Sequence, residues 1–294
     1  MISNLCTCLI DYFSKDQWIT ILSTILGLLA SVYIAYRIFN AEQEARELEE
    51  KKLNEDHFGF LENFLKMQMP YYEKQIENIN LYLKNLHKHL NLEIVVELNN
   101  DYSKNFELIR LIKYIQSNKK NEENFNKLYS SLNYTSIVIK NLEDEMLRYF
   151  ERSYLLDEKI KSVQYHLLRI HLIEINDYCS YDKTFNNDYG KIRTEYFELV
   201  KKVSNNPKIF PKSDKDLVDK NLLETEFVDE LITLINPVFA DHPIFTEIAS
   251  KLNTFKNAIN DKRNLETAHR TTMNSYVSIL DVTKERIKEF YLVK

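Results

Sequence analysis

Residues 125–170 read FNKLYSSLNYTSIVIKNLEDEMLRYFERSYLLDEKIKSVQYHLLRI, a stretch with neither glycine nor proline. Its apolar side chains recur at alternating intervals of three and four residues, and only Thr135 and Ser153 interrupt the series. Such spacing places one apolar stripe along a helix. We therefore predict a helix of about 50 residues, whose core-facing seam consists of Phe125, Leu128, Leu132, Ile139, Leu142, Met146, Tyr149, Leu156, Ile160, Val163, Leu167 and Ile170.

The composition of the whole chain agrees with this local pattern. Its 294 residues include only three Gly and five Pro, whereas average usage predicts about 20 and about 15. Rossmann folds, sandwiches, barrels and P-loop enzymes need glycine-bearing turns. We therefore exclude these classes and predict an all-α protein of one or two domains.

A second stretch, QWITILSTILGLLASVYIAY over residues 17–36, carries no charge. About 20 helical residues span about 30 Å, the thickness of the bilayer hydrocarbon. Trp18, Tyr33 and Tyr36 lie near its ends, as aromatic belts do. A cleaved signal peptide would have a basic start and a shorter apolar run. We predict an uncleaved transmembrane anchor over residues 17–39.

Charge asymmetry predicts the orientation of this anchor. Lys15 precedes it, whereas Arg37, Arg46, Lys51 and Lys52 follow it. Positive flanks stay in the cytoplasm, so we expect the bulk of the chain to be cytoplasmic. Richness in Asn, Lys, Ile and Tyr is typical of AT-rich bacterial genomes, which indicates a bacterial inner membrane.

The predicted organisation is a single N-terminal transmembrane helix, a charged helical stalk and a cytoplasmic bundle of long antiparallel helices. The segments are a short extracytoplasmic N-terminus (1–16), the anchor (17–39), the stalk (40–69), a long-helix bundle (70–204) and a C-terminal helical region that belongs to the same or a second domain (205–294).

Several residues are expected to end or interrupt these helices. We expect Pro70 to end or kink the stalk helix, and residues 180–190 to form a loop. Pro207 and Pro211 indicate a linker, after which Ser213 or Asp214 is a possible helix cap. Asp241-His242-Pro243 predicts a turn into the last helices, at 244–260 and 262–292, either separate or fused. A seam is expected over Tyr72, Ile76, Ile79, Leu83, Leu86 and Leu90, a short helix around Phe106–Ile115, and an extended piece around Ile94-Val95-Val96.

The anchor also carries small side chains at every fourth position. Ser23, Gly27, Ser31 and Ala35 form this series on one face of the helix. Small residues let helix backbones approach closely in lipid. We therefore expect the anchors to self-associate, with membrane lipid and further copies of the chain as partners.

Candidate metal ligands are sparse. His87 and His89 are two residues apart and point to different helix faces. His166 and His171 are five apart and are not expected to be neighbours, although His171 and Glu174 can meet. Walker, HExxH, CxxC and nucleophile-elbow motifs do not occur. We expect neither a metal nor a cofactor, and the net charge of −5 is not typical of a nucleic-acid binder.

One spacing suggests chemistry. Arg263 and Asn264 precede His269 by six and five residues, which resembles the catalytic motif of HEPN ribonucleases. Those small helical domains dimerise so that two such motifs meet in a cleft. The resemblance implies that His269 is a general acid or base for attack by a ribose 2′-OH. It also implies that Arg263 stabilises the phosphoryl charge and that Asn264 orients the pair, without a metal.

Three functions follow from these patterns as hypotheses. The first is a membrane-anchored, self-associating helical effector, sensor or scaffold, of a phage-defence or toxin-like kind, that acts on membrane integrity. If the oligomer closes into a ring, Ser23, Thr24 and Ser31 would face a pore. The second is a membrane-tethered, metal-independent HEPN-like ribonuclease, the only one of the three with nucleic acid as a partner. The third is a passive coiled-coil adaptor that recruits a cytoplasmic enzyme.

Overall fold

The computed structural model describes residues 14–86, 91–98, 102, 106–118, 122–211 and 218–292. All regular structure in these ranges is helical, which confirms the predicted all-α class, and no strand occurs within them. In chain order the elements are α1 (Lys15–Lys84), a 3₁₀ turn (Val96–Leu98), α2 (Leu108–Ser117), α3 (Glu122–Tyr165), a π-turn (His166–Ile170), α4 (His171–Tyr181), α5 (Lys183–Ser204), α6 (Lys220–Leu223), a second π-turn (Glu224–Val228), α7 (Asp229–Ile235), a 3₁₀ turn (Asn236–Val238) and α8 (Pro243–Leu292).

The chain divides into two compact units. The first comprises residues 1–69, 100–130 and 289–294, and the second comprises 70–99 and 131–288. Residues 1–13, which are most of the predicted extracytoplasmic N-terminus, lie outside the described ranges. So do Leu90 and both proposed caps, Ser213 and Asp214.

Pro70 does not end its helix, contrary to the first of the two expected outcomes. Helix α1 runs without interruption from Lys15 to Lys84. Proline removes one backbone hydrogen bond inside a helix, but buried side chains on both sides offset that loss. Leu65, five residues before Pro70, and Tyr72, two residues after it, are both fully buried.

In the first unit, the second half of the predicted stalk has a buried face. That face starts at Asn54 and includes Phe58, Leu61 and Leu65, so the seam of α1 begins well before Tyr72. The Phe58 ring stacks on Tyr114 of α2 with centroids 4.3 Å apart. Aromatic burial of this kind supplies the core of the first unit.

The predicted loop over residues 180–190 is wrong. Helix α4 ends at Tyr181 and α5 begins at Lys183, so only Asp182 interrupts the helices. The Asp182 carboxylate accepts hydrogen bonds from the backbone N–H groups of Thr184 (2.8 Å) and Phe185 (3.1 Å). This N-cap satisfies two of the free donors at the start of α5, which permits a sharp turn without a loop.

The end of the chain forms one helix, because the two segments expected at 244–260 and 262–292 are fused in the 50-residue helix α8. The expected turn before it is present, since Pro243 is the first residue of the helix. After the linker, the observed helix cap is Asp219, whose carboxylate accepts from the N–H groups of Asn221 and Leu222. Residues 94–95 are non-helical and Val96 begins a 3₁₀ turn.

One hydrophobic core cluster of the second unit includes residues on both sides of the linker. Val203 precedes the linker, and Ile209 lies within it. Phe227 and Phe255 follow the linker and belong to the same cluster. Side chains from residues 160–259 thus pack together. Burial of this apolar surface is the main stabilising term for such a unit.

Helices α3 and α8 pack antiparallel in the second unit, because residue 135 meets 283 and residue 157 meets 262. Ten of the twelve predicted seam residues are buried, and Leu156 and Ile170 are half-buried. The two polar interruptions, Thr135 and Ser153, are also buried. The Thr135 hydroxyl lies 3.1 Å from that of Thr283, so a polar layer fixes the register of the pair.

We expect the two threonines to contribute unequally to stability. Thr283 keeps a hydrogen bond to the Ile279 carbonyl at 2.8 Å when Thr135 is replaced, whereas Thr135 loses its partner when Thr283 is replaced. Thr283→Val should lower the free energy of unfolding by about 1–3 kcal/mol. Thr135→Val should cost less, and the double variant should recover most of the loss. Denaturant unfolding of all four proteins tests this, and simple additivity would contradict it.

Candidate functional site

Among the described residues, α1 is the one helix long and apolar enough to cross a membrane. None of its apolar window is buried against the rest of the protein. Leu26, Val32 and Phe39 are each more than 60% exposed. A core helix of a soluble protein would be covered, whereas this stretch is uncovered and could span a membrane.

The serine and threonine hydroxyl groups in this segment are bonded to the helix itself. Thr20 donates to the Asp16 carbonyl (2.9 Å), and Ser23 and Thr24 donate to the Thr20 carbonyl (2.9 and 2.8 Å). Ser31 donates to the Gly27 carbonyl at 2.8 Å. Hydroxyls satisfied in this way need no water, which makes the segment compatible with hydrocarbon.

The small-residue face of the anchor is open in a single chain. Ser23, Gly27, Ser31 and Ala35 are all exposed. A Cβ atom added at Gly27 would meet no atom within 4 Å. A bulky residue at position 27 therefore creates no clash within one chain, and any effect on assembly would arise between chains.

The guanidinium group of Arg263 is engaged in ionic and polar contacts. It donates to Glu224 Oε2 and to Asn221 Oδ1, each at 2.6 Å. Glu224 is nearly buried and belongs to the second π-turn. These contacts tie α8 to the segment that follows the linker. Asn264, the second residue of the predicted motif, is exposed.

His269 lies in a buried polar cluster of the second unit. Only 2% of the residue is exposed, and its ring stacks on Tyr149 with centroids 4.2 Å apart. The Nε2 atom is 2.8 Å from the Tyr82 hydroxyl, and Nδ1 is 3.4 Å from Glu145 Oε1. Burial lowers the pKa of His269 and raises the pKa of Tyr149 to about 12.

The structure therefore gives Arg263 and His269 different partners on different elements. Residues six apart on a helix differ by about 120° in direction, and neither side chain contacts the other. The sequence did not reveal Tyr82 and Glu145 as neighbours of His269, because such contacts span more than 120 residues of chain. The one sequence signal that could have indicated this cluster is the position of Tyr149 in the predicted seam of α3.

We expect the stability of the protein to fall in mild acid because of His269. Its pKa in the folded state is lowered below the value of 6.5, so the unfolded chain binds a proton more readily. The free energy of unfolding therefore keeps its full value above about pH 6.5, the pKa of the unfolded chain. It declines as the pH falls from there through the folded-state pKa. Thermal unfolding at pH 7.5 and 5.5 should show a larger loss for wild type than for His269→Gln. Equal losses would contradict this.

The histidines of the first π-turn and of α4 correct one sequence prediction. His171 and Glu174 do meet, with Nδ1 2.9 Å from Oε2. His166 and His171 were not expected to be neighbours, yet their ring centroids are 5.9 Å apart. Residues 166–170 form a π-turn, in which the His171 N–H bonds to the His166 carbonyl. This wider turn brings residues five apart onto one face.

The remaining histidines include two that the structure does not describe. His87 and His89 lie outside the described residues. Within the described ranges, no group of three or more His, Cys, Asp or Glu side chains is arranged to hold a metal ion.

An open cleft of about 540 Å³ lies between α4 and α5. Ile173 and Phe197 on its rim are about half exposed, and Arg193 and Asn176 add polar groups to the lining. Exposed apolar side chains beside a cation are typical of a surface that receives a partner.

No protein-family model matches this chain, and no curated protein and no solved structure matches it. The likeness to HEPN ribonucleases therefore remains a resemblance over residues 263–269. Function is inferred from the geometry of the chain itself.

Proposed function

We propose that the protein is a single-pass protein of the bacterial inner membrane that self-associates and acts there as an effector, sensor or scaffold. One observation carries this proposal: the apolar stretch 17–36 is uncovered and continues, within one helix, into a highly charged segment. Such an abrupt change matches the boundary between hydrocarbon and water. The basic residues after the stretch orient the folded units toward the cytoplasm.

Self-association of the anchors follows from the exposed small-residue face. Lipid supplies no hydrophobic drive between helices, so close backbone packing must hold them together. The open face around Gly27 permits that approach. A closed ring of anchors would place Ser23, Thr24 and Ser31 around a pore, and the protein would then act on membrane integrity as a defence or toxin-like effector.

The contacts of His269 weigh against the ribonuclease alternative in a single chain. Both ring nitrogens have partners and one ring face is covered by Tyr149. A general acid or base must reach the proton that it transfers, so catalysis would require this cluster to open. The adaptor alternative draws support from the cleft between α4 and α5, where a recruited protein would dock.

Expression of four proteins in bacteria separates these functions. They are wild type, a deletion of residues 1–39, His269→Ala and Asn264→Ala, each scored for growth, membrane potential and RNA integrity. Depolarisation that requires residues 1–39 and survives Asn264→Ala supports the membrane effector. RNA loss that requires both Asn264 and His269 would contradict the membrane effector and support the ribonuclease. If neither depolarisation nor RNA loss occurs, and one other protein binds reproducibly at the cleft between α4 and α5, the result would favour the adaptor.

A further inference from the structure

The cleft between α4 and α5 is framed by helices that are held together at two places. At the turn between them, the Asp182 carboxylate accepts hydrogen bonds from the N–H groups of Thr184 and Phe185 at the start of α5. Further along α5, the buried Tyr196 hydroxyl donates to the carbonyl of Leu167, which lies in the π-turn directly before α4. The walls of the cleft are therefore ordered before a ligand arrives, and binding does not have to supply that ordering.

The lining of the cleft has the size and composition of a small-molecule site. Leu172, Ile173 and Phe197 supply apolar surface, and Arg193 is the one charged residue of the described lining. The volume of about 540 Å³ falls within the range of about 300–1,000 Å³ that ligand sites span. Stable protein–protein interfaces use about 20–30 residues on each side, whereas six described residues line this cleft. These dimensions favour a small molecule over a protein as the occupant.

Arg193 brings a positive charge that the described part of the chain does not neutralise. The residue is half-buried, and among the described residues its guanidinium has neither an ion pair nor a hydrogen bond. By contrast, Arg263 and Arg270 on α8 both donate to carboxylates. The guanidinium is a planar fork of donors that matches the two oxygens of a carboxylate. A ligand in the cleft therefore meets an unpaired cation beside apolar surface.

The polar groups near Arg193 favour a carboxylate over a phosphate. Asn176 lines the cleft from α4, and its side-chain amide offers further donors. The Thr194 hydroxyl already donates to the Gly190 carbonyl at 3.0 Å, so its proton is engaged. An ionised carboxylate only accepts hydrogen bonds and carries one negative charge, which the single guanidinium balances. A phosphate monoester carries about −1.5 to −2 at pH 7 and would retain an unbalanced charge.

We propose that this cleft binds a small organic carboxylate, whose charged group pairs with Arg193 and whose apolar body packs on Leu172, Ile173 and Phe197. Binding would cover Ile173 and Phe197, which are 49% and 52% exposed, and would remove apolar surface from water. The site lies wholly within the second unit. It goes beyond the proposed membrane function, because it requires neither the anchor nor self-association.

Photolabelling of the full-length protein in lipid nanodiscs tests this site. The probe is 4-benzoylbenzoate, an aromatic carboxylate that crosslinks to nearby C–H groups under light, and mass spectrometry locates the labels. Wild type should show saturable labelling within residues 172–197. The methyl ester of the probe has the same aromatic body without the charge, and it should label these residues at least about 10-fold less efficiently, because it lacks the charge-assisted hydrogen bonds.

Substitutions on α5 separate the charge of Arg193 from its surroundings. Arg193→Gln should raise the probe concentration for half-maximal labelling by about 10- to 100-fold, since the charge-assisted pair is lost. Arg193→Lys keeps the charge without the fork and should raise it by less. Lys191→Gln is the matched control, because the Lys191 side chain is 86% exposed on the same helix and is not part of the described lining. It should label as wild type does.

Three results would overturn the site: no saturable labelling within residues 172–197, unchanged labelling of Arg193→Gln, or equal labelling of wild type by the acid and its ester. The last result would show an apolar surface without preference for an anion, as a protein-docking face would be. If Arg193→Gln does not fold, as judged by circular dichroism, the comparison of acid and ester on wild type decides the question.

Discussion

Leu28→Arg combined with Leu29→Arg should abolish stable membrane insertion of the protein. Both leucines lie near the middle of the apolar stretch and are 61% exposed. An arginine at the centre of a membrane helix costs about 2.5–3.5 kcal/mol, and each lost leucine removes a further contribution of about 0.5 kcal/mol. The pair therefore changes the free energy of insertion by about 6–8 kcal/mol. Carbonate extraction of membranes should find wild type in the pellet and the variant in the supernatant.

The matched control uses the same change further along α1. Leu48 and Leu53 are 68% and 49% exposed in the charged segment, where the proposal expects water. Leu48→Arg with Leu53→Arg should leave the protein in the membrane fraction. Release by both double variants, or by neither, would show that residues 17–39 are not a hydrocarbon-embedded anchor.

His269→Ala should produce the largest loss of stability among single changes in the polar cluster. The substitution removes a ring stacked on Tyr149 and leaves the buried Tyr82 hydroxyl without its partner at 2.8 Å. A cavity and an unpaired polar group together cost about 2–4 kcal/mol. Denaturant unfolding of the detergent-solubilised protein measures this loss.

Asn264→Ala is the control for this change, because Asn264 is exposed on the same helix. Its free energy of unfolding should stay within about 0.5 kcal/mol of wild type. A structural role for His269 thus predicts unequal effects of the two variants on stability. If His269→Ala were as stable as Asn264→Ala, the cluster would not be structural and the catalytic hypothesis would gain support.

Local patterns predicted the helices well and their ends less well. The alternation of three and four residues identified α3 because burial of one stripe governs a long helix. Residues 180–190 were predicted wrongly as a loop because one capping aspartate permits a sharp turn there. At Pro70 the helix continues because buried neighbours outweigh the local preference for an end. Propensity is a weak guide where tertiary packing acts on the same residues.

The candidate sites depend on contacts that a single sequence does not contain. The long apolar segment and its exposed small-residue face could be predicted, since they follow from residues close together on one helix. The partners of His269 come from helices α1 and α3, far away in the chain. The meeting of His166 and His171 depends on a π-turn, and the regular period of 3.6 residues places them apart.

The central claim is that the protein self-associates in the membrane through the face that contains Gly27. Its most direct test compares segment 1–45 with its Gly27→Leu and Leu28→Ile variants in a membrane two-hybrid assay. We predict that wild type and Leu28→Ile associate, because Leu28 lies on another face, and that Gly27→Leu does not, because its side chain holds the helices apart. A monomeric wild-type segment, or equal association by both variants, would contradict the account.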